Sequence, residues 1–196
     1  MTIRTLGAAI VAACATVLAG CVTTSMQGYA DLDRPARPVE HIAVVAPPAL
    51  LAALAAESAK HGLMIEDSNV IVPPTREYKD TEVRQLLKAQ GIDGVLVVTV
   101  IGDTGVQERY AGTILSGNYS YGSMSATATP VYRYSRTVAF KARLSDPKSG
   151  RNLWVGGGQT RAGGALFMGD VTSARDAASA ILNDLREKGL IGASAA

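Results

Sequence analysis

Cysteine, histidine and tryptophan are all scarce in this chain of 196 residues, which has two cysteines, two histidines and one tryptophan. His41 and His61 stand in no ligand spacing with each other or with a thiol, so the sequence predicts no metal centre. Cys14 falls inside an N-terminal apolar run with the composition of a secretion signal. Removal of that run leaves Cys21 without a disulfide partner, and the fold must therefore stand on side-chain packing.

Excess charge of either sign is also missing, as are the common catalytic motifs. The formal net charge is +2, so no basic field indicates nucleic-acid binding. No serine lies in a Gly-x-Ser-x-Gly motif, and Gly156-Gly157-Gly158 is not followed by the Gly-Lys-Ser/Thr of a phosphate-binding loop. We therefore expect no cofactor and no enzymatic activity.

The N-terminus carries the strongest motif. Residues 1–5 hold a single charge, Arg4, and residues 6–18 are apolar apart from Gly7 and Thr16, which is the layout of a signal peptide. The following tetrad, Leu18-Ala19-Gly20-Cys21, resembles the lipobox of bacterial lipoproteins. That resemblance implies cleavage before Cys21 and attachment of acyl chains such as palmitate to this residue. The alternatives are a plain secretory signal with an incidental cysteine, or a short N-terminal anchor.

Position 22 indicates which membrane the lipid enters. In the lipoprotein pattern an aspartate directly after the lipid cysteine favours retention in the inner membrane, and here that residue is Val22. The resemblance therefore implies the outer membrane of a Gram-negative cell. Composition divides the chain into a signal peptide (1–20), a flexible tether with two prolines (21–40), a single α/β domain (41–190) and a disordered tail (191–196).

Hydrophobic periodicity predicts the order of elements in the domain. Residues 42–46 form a buried strand, residues 49–61 a helix closed by Gly62, and residues 63–72 a second, interrupted strand. A second helix begins at Asp80 or Thr81, and residues 95–101 form the strand best suited to a central position. This β-α-β-α-β order predicts a sheet that is at least partly parallel.

The second half of the chain changes to a period of two. Residues 137–144 alternate apolar with polar, residues 146–150 have turn chemistry, and residues 152–155 begin a return strand, so we predict an antiparallel hairpin. A last helix begins near Asp170 or Ser173 and ends by Lys188. The predicted fold is α/β (α+β), a mixed sheet in two or three layers with the C-terminal helix across it.

Residues 111–132 are unusual because no charged side chain lies between Arg109 and Arg133. This stretch fits a loose or weakly paired hairpin joining two strands, a partner or oligomer surface, or a membrane contact. Aromatic side chains in and near it provide large contact areas with polar tips. The candidate binding residues are Tyr110, Tyr119, Tyr121, Tyr132, Tyr134 and Trp154, of which Trp154 lies on a strand of the predicted hairpin, where a tryptophan most often has a packing role.

The assembled motifs have a family resemblance. The lipobox, the strand Ile42-Ala43-Val44-Val45-Ala46-Pro47-Pro48, the passage 91–97 and the hairpin 144–154 resemble a group of Gram-negative envelope lipoproteins. This group includes the curli-secretion lipoprotein and the lipoprotein activators of penicillin-binding proteins. The resemblance implies an α/β sandwich that works by contact, with no catalytic residues to carry over.

We therefore predict a lipid-anchored protein on the periplasmic face of the outer membrane that acts as a binding or assembly module for an envelope complex. Its partners are the membrane, through Cys21, and an envelope protein or a second copy of the chain. The first alternative is a periplasmic lipoprotein that binds a glycan or small molecule, with the tyrosines as stacking surfaces. The second alternative is a hydrolase.

Overall fold

The computed structural model describes residues 21–32, 37–120, 123–164 and 170–192. The predicted signal peptide lies outside these residues, as do residues 193–196 of the predicted tail. The strands are β1 (Cys21–Ala30), β2 (His41–Val45), β3 (Met64–Asp67), β4 (Gly94–Asp103), β5 (Gln107–Ser120), β6 (Ser123–Ser145) and β7 (Asn152–Gly164). The helices are α1 (Pro48–Ser58), continued by a 3₁₀ turn (Ala59–His61), then α2 (Ser68–Ile71), α3 (Asp80–Ala89) and α4 (Asp170–Glu187).

The strands form one seven-stranded mixed sheet, which confirms the predicted fold class. Its order is β1-β7-β6-β4-β2-β3, with β5 paired to β6 outside this path. Strand β2 pairs in parallel with β3 and with β4, and its buried residues 42–44 suit this interior position in the sheet. Strand β3 ends at Asp67, whose carboxylate accepts a hydrogen bond from the Asn69 N–H and starts α2. The strand predicted over residues 63–72 is therefore confirmed only as far as Asp67, since residues 68–71 form this short helix.

Helices α1 and α4 cover one face of the sheet, which we call the covered face. Apolar residues of both helices share a core with the inward side chains of β4, β6 and β7, including Leu96, Phe140 and Trp154. The inward stripe of α4 is the one that the sequence predicts. It comprises Ala177, Ala178, Ile181, Leu182 and Leu185. The predicted role of this helix, closing the core across the sheet, is confirmed.

The opposite face is covered only in part. A second cluster joins Ala43 to Ile71, Leu87 and Ile92, so α2 and α3 pack over the parallel strands. Over β6, β7 and β1 the outward side chains are exposed, and we call this surface the open face. The sheet therefore has three layers at its parallel end and two at its antiparallel end.

Residues 21–30 correct the predicted tether. They form β1, which pairs antiparallel with β7 from Cys21↔Gly163 to Ala30↔Trp154. The prediction was wrong because three of the five inward positions of β1, Thr24, Gly28 and Ala30, are small or polar, and Val22 and Met26 alone give little hydrophobic signal. A Cβ atom at Gly28 would overlap the side chains of Trp154 and Asp184, so only glycine fits there.

The outer limits of the domain change as well. Val39, assigned to the tether, is 3% exposed and forms a parallel bridge with Ile191, assigned to the tail, which is 2% exposed. The Val39 N–H also donates to the Leu190 carbonyl at 2.7 Å. The folded unit therefore includes β1 and the two ends that meet at Val39 and Ile191, while residues 33–36 lie outside the described part of the chain.

Strand β5 and the first half of β6 form a long two-stranded ribbon. The ladder runs from Gln107↔Ser135 to Ser120↔Ser123, with a bulge between Tyr110 and Gly112. Residue 134 pairs with Gly164, the last residue of β7, so residues 123–133 reach beyond the sheet, by about 35 Å at about 3.3 Å per residue. The predicted hairpin in residues 111–132 is confirmed, but its predicted loose or weak pairing is wrong, since the bulge is the one interruption of the ladder between the described residues of the two strands.

Candidate interaction surfaces

The ribbon exposes side chains on both of its faces near its base. Tyr110 and Tyr132 are cross-strand partners and meet edge to face, with ring centroids 6.0 Å apart and planes at 72°. The Tyr134 hydroxyl donates to Glu108 Oε1 at 3.3 Å, and the charge of that carboxylate raises the pKa of the Tyr134 phenol. The structure thus brings three of the predicted tyrosines together at the ribbon base. Tyr119 belongs to β5 by its backbone, and Tyr121 lies outside the described residues.

An ion-pair cluster fixes the base of the ribbon to the body. Arg136 of β6 donates from Nε to Asp103 Oδ1 at 2.9 Å and from Nη2 to Asp103 Oδ2 at 2.5 Å, and Nη1 pairs with Asp170 at the start of α4. The hydrogen bonds from Arg136 lower the pKa of Asp103 to about 2. Sequence reasoning missed this cluster, because more than thirty residues separate Arg136 from each partner and no local motif links them.

Trp154 does not belong to a binding surface. It is 1% exposed, lies in the main core and donates from Nε1 to Asp184 Oδ2 at 2.7 Å. Of the two roles considered for Trp154, the structure shows packing and not partner contact. Close packing also explains the glycines near Trp154. A Cβ at Gly156 would overlap the indole ring, and one at Gly158 would overlap the Ser25 carbonyl and the Phe140 ring.

Cys21 begins β1 at the end of the sheet from which the ribbon projects. Gln107, Ser135, Gly163 and Cys21 are successive partners across the four strands β5, β6, β7 and β1. The position predicted to carry the lipid therefore lies level with the base of the ribbon. A lipid on this residue would bring the ribbon close to the same membrane.

The free edges of the sheet differ in charge. Edge strand β3 has four residues, two of them acidic, Glu66 and Asp67, which is a common protection against strand addition. Edge strand β1 has ten residues with no charge and no proline, and β5 has no charged residue after Arg109. The Asp31 N–H donates to the Leu153 carbonyl, so by alternation the N–H groups of even-numbered β1 residues point away from β7. No strand among the described residues pairs with this side of β1, so within that part of the chain its outward backbone donors have no strand partner.

A cavity of about 420 Å³ opens where α1 and α4 begin, above the covered face. Its walls are mostly apolar, and its polar groups are the Arg136 cluster, Thr160 and Ser173. The apolar lining includes Pro47, Leu50, Val100, Val138 and Phe140. Such a site fits a small, largely apolar molecule.

The described part of the chain contains neither a cluster of metal-binding side chains nor a helix suited to cross a membrane. Among residues 21–32, 37–120, 123–164 and 170–192, no three His, Cys, Asp or Glu side chains are grouped to hold a metal ion. Within the same ranges no helix is long and apolar enough to cross a bilayer. The His41 side chain forms a hydrogen bond with a neighbouring strand, with Nε2 3.0 Å from Glu66 Oε1.

Comparison with known proteins gives only distant likenesses. No family model and no curated protein matches the chain. A PelC dodecamer from Paraburkholderia phytofirmans is 17% identical, with a TM-score of 0.47, over 83% of this chain and 97% of that chain. Lipoprotein GNA1162 from Neisseria meningitidis is 22% identical, with a TM-score of 0.41, over 76% of this chain and 99% of that chain.

A third solved structure is also similar, but only weakly. A PDZ domain protein from Parabacteroides distasonis also aligns, at 11% identity and a TM-score of 0.31, over 89% of this chain and 38% of that chain. Similar structures thus include PelC and a Neisseria lipoprotein, but at TM-scores below 0.5 they assign no function to this chain. Membership of the curli-secretion and penicillin-binding-protein-activator group stays a prediction.

Proposed function

We propose that this protein is a lipoprotein of the outer membrane, acylated on Cys21 and facing the periplasm, that acts as a non-catalytic binding or assembly module in an envelope complex. Its contacts are made by strand addition, from a partner or from a second copy, onto the uncharged edges of β1 and the ribbon. The observation that supports this most strongly is the contrast between the acidic β3 edge and the unprotected β1 edge.

The position of Cys21 supports the combination of anchor and binding edge. It lies at one end of β1 and level with the ribbon base, so confinement by the lipid would hold both edges at the membrane surface. A tethered surface meets its partner at a high effective concentration, so a modest binding edge suffices. Several acyl chains also exceed the two signals that stable anchoring needs.

The anchor is tested by labelling cells with palmitate and fractionating their membranes. We expect label on the wild-type protein, which stays in the outer-membrane fraction after a high-salt wash, and for Cys21→Ala no label and loss from that fraction in the same wash. A Cys21→Ala protein that stays in the outer-membrane fraction after the high-salt wash would show that the lipid is not the anchor.

The edge is tested at Thr24, in the middle of β1. The Thr24 N–H points outward by the alternation described above, and its Oγ1 lies 2.8 Å from Thr160 Oγ1. Thr24→Pro removes the outward donor and the hydroxyl contact, whereas Thr24→Val removes the hydroxyl contact alone. We expect Thr24→Pro, but not Thr24→Val, to lower the mass of the complex formed by the detergent-solubilised protein, measured by light scattering.

The two variants must share one circular-dichroism spectrum for this comparison. Equal masses for wild type, Thr24→Pro and Thr24→Val would show that β1 accepts no strand. A variant in which a short glycine-containing turn replaces residues 107–134 tests the ribbon edge separately. The Arg136 cluster stays in that variant, so we expect the body to remain folded and the complex to lose mass.

A second candidate function is glycan binding. The observation that favours it is the exposed pair Tyr110 and Tyr132 at the ribbon base, of which Tyr110 is 58% exposed. Aromatic rings of this kind stack on sugar faces. Titration with peptidoglycan fragments should then shift tyrosine fluorescence in the wild type but not in Tyr110→Ala, and a flat titration of both would reject this function.

A further inference from the structure

Strands β1, β6 and β7 contain no aspartate and no glutamate. They span 10, 23 and 13 residues, so this absence covers most of the antiparallel half of the sheet. The same strands carry five basic residues, Arg133, Arg136, Lys141, Arg143 and Arg161. Only Arg136 points to the covered face, where it is neutralised by Asp103 and Asp170.

The other basic residues lie together on the open face. Lys141 and Arg143 are two positions apart on β6, and Arg161 lies on the neighbouring strand. All are exposed, and none takes part in an ion pair within the described part of the chain. The formal charge of the whole chain is only +2, so this is a local concentration of positive charge.

The same surface continues onto the ribbon through two arginines. Arg109 and Arg133 are direct cross-strand partners, an arrangement of like charges that costs free energy in a two-stranded ladder. The one acidic residue of β5, Glu108, is on the opposite side, bonded to Tyr134. We define the basic face as Arg109, Arg133, Lys141, Arg143 and Arg161. A polyanion laid along it would relieve the repulsion between the two arginines.

Exposed apolar side chains are mixed with these charges. Tyr29 is 62% exposed, Val155 is 43% exposed, and both lie in one cross-strand row with Arg143. On the ribbon, Ile114 is 61% exposed. Tyrosine together with arginine and lysine is the composition that proteins use at the boundary between lipid head groups and acyl chains.

The nearness of Cys21 decides which polyanion is meant. Arg161 is the cross-strand partner of Thr23, two residues from Cys21, which is about 7 Å along the strand. We infer that the basic face lies flat on the anionic phospholipid leaflet that holds the acyl chains of Cys21. This inference rests on the proposed acylation for its location, whereas the charge complementarity does not depend on it.

Flat docking would also orient the rest of the molecule. The covered face, with α1, α4 and the cavity, would point away from the membrane, and the free edge of β1 would run along its surface. Partners would then reach β1 sideways, which restricts assembly to the plane of the membrane. Each basic residue near an anionic leaflet contributes about 1 kcal/mol, or about a fivefold gain in membrane partition.

The test uses the chain from residue 21 with Cys21→Ser, so that no acyl chain can hold it on lipid. Its sedimentation is measured with vesicles of phosphatidylcholine alone and of phosphatidylcholine with phosphatidylglycerol. We expect binding to the anionic vesicles only, and a steep loss with added salt. The triple variant Lys141→Gln/Arg143→Gln/Arg161→Gln should bind about a hundredfold more weakly, at about fivefold for each charge.

A matched control removes the same charge from the side of α4. Arg175, Arg186 and Lys188 lie on or directly after α4, and their triple change to Gln should leave vesicle binding within about twofold of the parent. Equal loss in both triples would show that net charge, and not the basic face, drives binding. Binding to neutral vesicles at the same level would also overturn the inference.

An anionic polysaccharide is the competing polyanion. Alginate that binds the parent protein as strongly as the anionic vesicles, and depends on Lys141 and Arg143 in the same way, would show that the basic face is a glycan surface. The palmitate experiment remains independent of this result. If the wild-type protein takes up no palmitate but the Cys21→Ser chain binds anionic vesicles, the anchor is rejected and the basic face is kept. If the wild-type protein is labelled but the Cys21→Ser chain does not bind anionic vesicles, only the anchor is kept.

Discussion

The two faces of strands β6 and β7 differ in burial and in charge. On the covered face Phe140, Leu144 and Trp154 are almost completely buried, and glycines leave the space that the aromatic rings need. On the open face Lys141, Arg143 and Arg161 are exposed and unpaired among the described residues. The covered face therefore determines the fold, and the open face is free to carry an interaction.

The largest expected effect of a point change is at the centre of the covered face. Trp154→Ala should lower the free energy of unfolding by about 3–5 kcal/mol, because it removes a buried indole and the hydrogen bond to Asp184. Urea unfolding followed by far-UV circular dichroism measures the change. Tyr29→Ala, on the open side of the strand next to β7, should change it by less than about 0.5 kcal/mol. Similar losses at Trp154 and Tyr29 would contradict the contrast between the faces.

Two adjacent glycines make a sharper comparison. At Gly158 a Cβ would lie 2.7 Å from the Ser25 carbonyl oxygen and 2.9 Å from the Phe140 ring, whereas at Gly157 the nearest atom lies at an ordinary 3.6 Å. Gly158→Ala should therefore cost about 1–3 kcal/mol of unfolding free energy, as overpacking does. Gly157→Ala should be neutral or slightly stabilising, since alanine loses less backbone entropy. The reverse order of thermal midpoints would show that the faces are misassigned.

The smallest expected effect concerns pH. His61, beside α1 in the helix layer, is buried, its Nδ1 has no hydrogen-bond partner among the described residues, and burial, followed by the charge of Arg186, lowers its pKa. Below about pH 6.5 the unfolded chain therefore binds a proton at His61 more readily than the folded chain does. The free energy of unfolding is not reduced by this effect above about pH 6.5, and it decreases as the pH falls below that value.

His61→Leu tests this assignment. Its unfolding free energy should vary less between pH 7 and pH 5 than that of the wild type. The double change Lys141→Gln/Arg143→Gln on the open face should leave the wild-type pH dependence intact. Identical pH profiles for wild type and His61→Leu would remove His61 as the cause.

The sequence predicts the parts of this fold that carry periodic apolar residues. The stripe of α4 and the alternation of residues 137–144 are strong signals, because each inward position holds a side chain that must be buried. Strand β1 gives no such signal, since Gly28 is inward and its space is filled by Trp154 from another strand. An inward glycine looks the same in a sequence as a loop glycine.

The candidate surfaces were predictable only where their residues are close together in the sequence. The uncharged stretch 111–132 correctly indicated the hairpin, and its flanking tyrosines 110, 132 and 134 do meet at the ribbon base. The Arg136 cluster and the basic face were missed, because both depend on which strands become neighbours. Only the register of β1, β6 and β7 shows that the basic residues share one face.

Strand β6 has a mechanical consequence. Its 23 residues run without a break from the tip of the ribbon into the middle of the sheet, where β4 and β7 hold it on both sides. The hydrogen bonds of an antiparallel ladder lie across the strand direction, so a pull along β6 loads many of them in shear at once instead of opening them one by one. A pull along the ribbon would therefore pass through β6 directly into the middle of the sheet.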